Sequence, residues 1–207
     1  MLRCAVIVTC LLCCWLPSAL ADERVLFDGQ SLKGWEGNTS VWRVEDGVIV
    51  GGSLDGNPRN EFLTTTFRHK NFELRFQAQL EGTEGFVNGG VQFSSERVPN
   101  HHEMVGYQCD IGMGYDGALY DESRRNKLLQ PAVPKEKLDT LLKKGDWNSY
   151  RIRAENGHVQ LWVNGTQTVD YREEDAAIPQ TGLIGLQIHG DCKAIIRFRD
   201  IVLTPLP

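Results

Sequence analysis

The chain is 207 residues long and carries 22 lysines and arginines against 27 aspartates and glutamates, a formal net charge of −5. That balance excludes a nucleic-acid surface, which needs a basic stripe. The length suits a single domain with a sizeable core.

Arg3 precedes an apolar run from Cys4 to Leu16, and Ala19 and Ala21 have the small-x-small spacing of a secretory cleavage site. The run is short for a bilayer span of about 20 residues. None of Cys10, Cys13 and Cys14 follows the small residues expected ahead of a lipidated cysteine. The pattern therefore predicts a signal peptide over residues 1–21 and one domain over 22–207. It also predicts a secreted or periplasmic location, with no membrane span left after cleavage. Removal takes away one charged residue, Arg3, so 22 − 1 = 21 basic groups face 27 acidic ones, or −6. Of six cysteines, Cys109 and Cys192 remain. They form one bridge or stay as two small buried side chains; two are too few for a disulfide framework.

Beyond the leader, alternation with period 2 dominates. In 71–80 the apolar set Phe72, Leu74, Phe76, Ala78 and Leu80 alternates with Glu73, Arg75, Gln77 and Gln79, which predicts a long strand with one buried side. Asn88 and Gln92 flank Gly89-Gly90 with strand spacing. His101-His102-Glu103 could seed a metal site, but it follows Pro99-Asn100 in an expected loop. No second ligand pair stands at a recognisable spacing, so no metal is assigned. The stretch 105–111 sends Gln108 and Asp110 to one face and Tyr107, Cys109 and Ile111 to the other. An amide and a carboxylate side by side suit sugar hydroxyls better than a dry core. Tyr120, Asp121, Glu122, Arg124 and Arg125 follow on an expected loop.

A helix is predicted over 134–144, with Pro134 near its start, Leu138, Leu141 and Leu142 on one face and Gly145 just past its end. Asn156-Gly157 and Asn164-Gly165 separate three alternating runs, 150–154, 158–163 and 167–171, predicting a meander joined by tight turns. Runs 182–189 and 194–203 supply two more strands, and Gln187 and His189 sit two apart near the end of the first. Many strands and one short helix predict an all-β antiparallel sandwich. No repeat, linker or low-complexity tract interrupts it. Trp42 and Trp147 are expected in the core or at its margin, Trp162 at the surface or between sheets, and His69 and His158 at the surface.

Three polar pairs, Asn88/Gln92, Gln108/Asp110 and Gln187/His189, are expected to share one sheet face as a binding surface. No pair of acids stands on one strand face as retaining glucanases require. No Gly-x-Ser-x-Gly elbow, phosphate loop or dinucleotide fingerprint is present.

Several motifs resemble one family, the 3-keto-disaccharide hydrolase or 3-keto-glucoside-1,2-lyase/hydratase domain. They are the opening 26–35 (LFDGQSLKGW), 42–50 (WRVEDGVIV), Glu61-Phe-Leu63, 72–75 (FELR), 88–92 (NGGVQ), 117–120 (GALY), 147–151 (WNSYR), 163–165 (VNG) and 185–190 (GLQIHG). They span the mature chain in order. The resemblance implies a concanavalin A-like jelly roll and exported carbohydrate chemistry. It names no cofactor.

The implied chemistry begins with a partner sugar 3-dehydrogenase that oxidises C3. A base then removes the acidified C2 proton, the C1 oxygen leaves, and water adds, giving net hydrolysis of a 3-keto-glycoside. Mapped onto these residues, His189 or Asp110 is the base, and Arg124 with Gln108 stabilises charge. Tyr107 or Glu61 assists the leaving group, although strand parity turns Tyr107 away from Gln108. Asn88, Gln92, Tyr120, Glu122 and Gln187 are expected to bind substrate. Many members read Tyr-Glu-x-Gln where this chain has Tyr107-Gln-Cys-Asp110, so acid and amide have exchanged places. Two rival readings are a lectin-like carbohydrate-binding module without catalysis and an extracellular scaffold domain.

Overall fold

A computed structural model describes residues 22–207; the expected signal peptide lies outside the described residues. Among them the strands run, in chain order, β1 (Arg24–Val25), β2 (Trp35–Glu36), β3 (Trp42–Glu45), β4 (Val48–Asn57) and β5 (Glu61–Thr65). Next come β6 (Phe72–Gly85), β7 (Asn88–Arg97), β8 (Met104–Gly112), β9 (Leu119–Glu122) and β10 (Lys127–Gln130). The helix α1 (Lys135–Leu141) precedes β11 (Asn148–Glu155), β12 (His158–Val163), β13 (Thr166–Arg172), β14 (Leu183–Ile188) and β15 (Cys192–Pro205).

These strands form two antiparallel sheets packed as a jelly-roll sandwich of the concanavalin A-like kind. One sheet is ordered β13-β12-β11-β6-β15-β4-β3, with β1 on β15; the other, seven-stranded, is ordered β10-β9-β8-β7-β14-β5-β2. Alternation explains the core. Phe72, Leu74, Phe76 and Ala78 of β6 are buried inward, and Tyr107, Cys109 and Ile111 of β8 face them from the opposite sheet. Phe72 and Phe93 meet edge to face across the sandwich, centroids 6.4 Å apart.

The expected meander is β11-β12-β13. Asn156 and Gly157 take φ of 49° and 79°, and Asn164 and Gly165 take 46° and 81°, the doubly positive pattern of a primed hairpin turn. The helix is shorter than the span 134–144 predicts. It stops when Leu142 turns extended (ψ 135°), and Leu138 is its one buried residue. Cys109 and Cys192 are both free and buried, so no bridge forms. Trp42 is buried, whereas Trp162 and Trp147 lie beneath the guanidinium groups of Arg151 and Arg199, at 3.6 and 4.1 Å.

Two expectations need correction. His69 is not a surface residue: it is buried beside Phe67 and Phe72, and burial, with the Arg24 charge adding, lowers its pKa to about 4. The segment expected as a loop after 119 begins as strand β9, paired with β8 through Gln108↔Tyr120 and Gly106↔Glu122. Its inward residues are Leu119 and Asp121, and the second is a fully buried charge that hydrophobic alternation did not mark. Asp121 accepts bonds from Arg124 Nε at 2.9 and 3.1 Å and pairs with Arg125. Arg125 also pairs with Glu173 (2.8 Å), which accepts the Tyr107 hydroxyl (2.6 Å). Burial opposes ionisation of Glu173, but the bonds from Arg125 and Tyr107 outweigh it and hold its pKa at about 2.

Candidate functional site

The outer face of the seven-stranded sheet collects polar side chains because parity leaves them no place in the core. The register sets Gln92, Gln108 and Tyr120 side by side, and Asp110 opposite Gly90, which in turn lies opposite Gln187. Above β8 opens a hollow of about 340 Å³ walled by Asn88, Gln108, Asp110, Tyr120, Glu122 and His189. Phe86, Tyr115 and Leu128 complete the wall.

Asp110 is held by a directed chain of amides. The Ser95 hydroxyl donates to Gln92 Oε1 (2.8 Å), Gln92 Nε2 to Gln108 Oε1 (3.1 Å), and Gln108 Nε2 to Asp110 Oδ1 (2.8 Å). Burial raises the Asp110 pKa to about 7; the Gln108 bond opposes it, the charges of Glu122 and Asp116 add to it, and Asn88 opposes it again. Glu122 also reaches about 7, through burial and then repulsion from Glu103, opposed by the Ser123 N–H and the nearby Gln187 amide. Burial, followed by the charges of Glu122 and Asp110, raises the Tyr120 hydroxyl above its usual value, so it stays protonated at neutral pH. His189 Nδ1 lies 2.7 Å from the Gly190 carbonyl. The ring must donate there, which leaves Nε2 as the acceptor in the neutral imidazole. Phe86 meets that ring edge-on at 4.8 Å and sits 6.4 Å from Tyr115.

One glycine is required for this geometry. A Cβ on Gly90 would come within 2.8 Å of the Cys109 carbonyl oxygen and 2.9 Å of both Cγ and Cδ of Gln108, whose side chain crosses β7 there. Gly90→Ala is therefore expected to displace Gln108 and to destabilise the fold by about 1–3 kcal/mol, the usual cost of overpacking. Urea melts of the variant and the wild type would check it.

Several expected site residues lie elsewhere. Tyr107 points into the core face, where its hydroxyl serves Glu173. Arg124 packs over the Tyr107 ring at 4.7 Å and is paired to Asp121, so it is an internal counter-ion and not a wall of the hollow. Glu61 sits one residue off the Phe62↔Gln187 pair and accepts from Arg59 Nε (2.9 Å) and Asn38 (3.4 Å) in a separate polar hollow. Gln92 and Gln187 share the right face but are fully buried, so neither touches a ligand in the hollow directly. Gln108 spends its amide on Asp110 and Gln92, which makes it a positioning residue. Sequence reasoning missed Phe86, Tyr115 and Ser95. The two aromatics lie in connections without periodicity, but both are large apolar side chains left exposed.

A family model described as "3-keto-alpha-glucoside-1,2-lyase-like domain" matches residues 22–204. No curated protein matches the chain. Two solved structures from Parabacteroides distasonis ATCC 8503, each provisionally titled a glycosyl hydrolase, superpose with TM-scores of 0.68 and 0.65 at 19% and 24% identity. The first match covers 89% of this chain and 94% of the other, and the second 89% and 100%. The carbohydrate-binding module CBM66 from Bacillus subtilis superposes with a TM-score of 0.61 at 14% identity, covering 83% and 95%. At these identities the structural likeness is one of fold.

Proposed function

The chain belongs to the 3-keto-alpha-glucoside-1,2-lyase-like domain family and is a carbohydrate-active protein, and from that premise we propose that it cleaves 3-keto-glycosides in the hollow above β8. A ketone at C3 acidifies the C2 proton, because the resulting anion is an enolate. Asp110 takes that proton. The electron pair of the broken C2–H bond becomes the C1=C2 double bond, and the C1–O bond to the leaving group breaks. Tyr120, held protonated by its surroundings, donates to the departing oxygen in place of Tyr107 or Glu61. The Asn88 amide offers an N–H toward the C3 oxygen, where negative charge collects. His189 Nε2 accepts a sugar hydroxyl. Addition of water across C1=C2 completes net hydrolysis.

The observation that carries this reading is Asp110: a carboxylate oriented by a buried amide chain, lining an open hollow, with a pKa near 7. Export and a functional partnership with a sugar 3-dehydrogenase are part of the same proposal. The former rests on the leader-like residues 1–21, and the latter on the ketone at C3 that the elimination requires.

The test is incubation with α- and β-linked 3-keto-disaccharides while absorbance of the enone is followed. Since only ionised Asp110 accepts a proton, the rate is expected to rise with pH through about 7 and then level. A rate that is flat from pH 5 to 9 removes Asp110 as base. Saturable glycan binding without any enone would make the chain a binding module instead.

A further inference from the structure

We propose that Glu103, Glu122 and Gln187 form a site for a hard divalent cation beside the hollow. Glu103 ends the connection between β7 and β8, Glu122 ends β9, and Gln187 lies in β14. Gln187 is fully buried, and neither its amide oxygen nor its amide nitrogen has a hydrogen-bond partner. The second oxygen of Glu103, Oε2, is buried and unpartnered as well. Its first, Oε1, is already engaged by Asn60 Nδ2 at 3.0 Å and lies 3.4 Å from His102 Nε2. Glu122 stands close to both: it feels the Glu103 charge and lies within reach of the Gln187 amide, although no well-aligned bond joins them.

Buried polar atoms are almost always satisfied, and an amide with both ends idle in a closed environment is costly unless something outside the chain completes it. A water molecule would satisfy the amide but would leave the Glu103 charge acting on Glu122. A cation answers both demands. It cancels the repulsion between Glu103 and Glu122 and takes Gln187 Oε1 as a third oxygen ligand, leaving the amide nitrogen to donate to Glu122. An all-oxygen set favours calcium, magnesium or manganese over zinc or copper. Among the described residues no three His, Cys, Asp or Glu side chains gather as a metal cluster; here two carboxylates and an amide make up the set. The site adjoins the hollow through Glu122, yet it does not depend on the elimination chemistry proposed there.

The test is calorimetric titration of the EDTA-treated protein with calcium, magnesium and manganese chlorides, accompanied by thermal melts. At least one ion is expected to bind at one per chain and to raise Tm. Glu103→Gln and Gln187→Leu are each expected to weaken that binding at least tenfold while melting normally in EDTA. Absence of binding for all three ions overturns the proposal. So does binding in both variants that equals the wild type. Should one variant fail to fold, the other decides.

Discussion

Asp110→Asn is expected to reduce elimination from a 3-keto-glycoside by roughly 10²- to 10⁴-fold, the range for loss of a positioned general base, while making the fold more stable at alkaline pH. The two effects share one cause. Burial of Asp110 lifts its pKa from 3.8 to about 7, so the folded chain holds a proton that the unfolded chain has already released. Below about pH 4 both states are protonated and the residue costs nothing. Between pH 4 and 7 the unfolded state ionises first and stability falls as pH rises. Above pH 7 the full penalty is present, at most about 4 kcal/mol for a shift of some three units. Asparagine has nearly the same shape, can still accept the Gln108 amide and carries no charge. Urea melts of the variant and the wild type should coincide near pH 4 and diverge in the variant's favour by pH 8. Equal stability at both pH values would mean that Asp110 is solvated and not poised. Retained enone formation would remove it from the chemistry.

How far the chain declares itself differs between core and site. The strand at 71–80, the Asn-Gly meander and the outward parity of Gln108 and Asp110 follow from period 2 and turn chemistry, because each is a local property of the sequence. Asn88 and His189 could be named as candidates for the same reason, whereas Tyr120 and Glu122 are candidates by their chemistry, on an expected loop that is strand β9. What parity cannot supply is depth. Gln92 and Gln187 satisfy the same rule as Asp110 but are sealed. Arg124 is expected, on the strength of the family resemblance, to stabilise charge in the site; here a buried partner, Asp121, claims it. Tyr107 carried its own warning, as its parity opposed Gln108, and the parity proved decisive. Phe86 and Tyr115 reach the hollow from connections whose course depends on tertiary packing, and no periodicity announces them.

That buried partner provides the second large effect. Asp121→Ala is expected to destabilise the fold by about 3–5 kcal/mol, the usual result of removing one member of a buried ion group. Asp121 is completely covered, and both of its oxygens are used: Arg124 Nε bridges them at 2.9 and 3.1 Å and Arg125 joins Oδ2. Truncation leaves two guanidinium groups with only Glu173 to balance them, in a place that water reaches poorly. Arg125 still has Glu173 at 2.8 Å, so the larger part of the loss falls on Arg124, whose ring contact with Tyr107 at 4.7 Å cannot replace a carboxylate. Asp121→Asn should cost less, because one amide oxygen can still accept from Arg124 while the charge is lost. The hollow lies across the sheet from this network, and β9 carries both: Asp121 inward, Tyr120 and Glu122 outward. Loosening the inward anchor should therefore also lower kcat at temperatures where the variant remains folded. Urea unfolding at pH 7 gives the stability change directly. A loss below about 1 kcal/mol for the alanine variant would show that water enters the site and solvates the arginines, and β9 would then need another anchor.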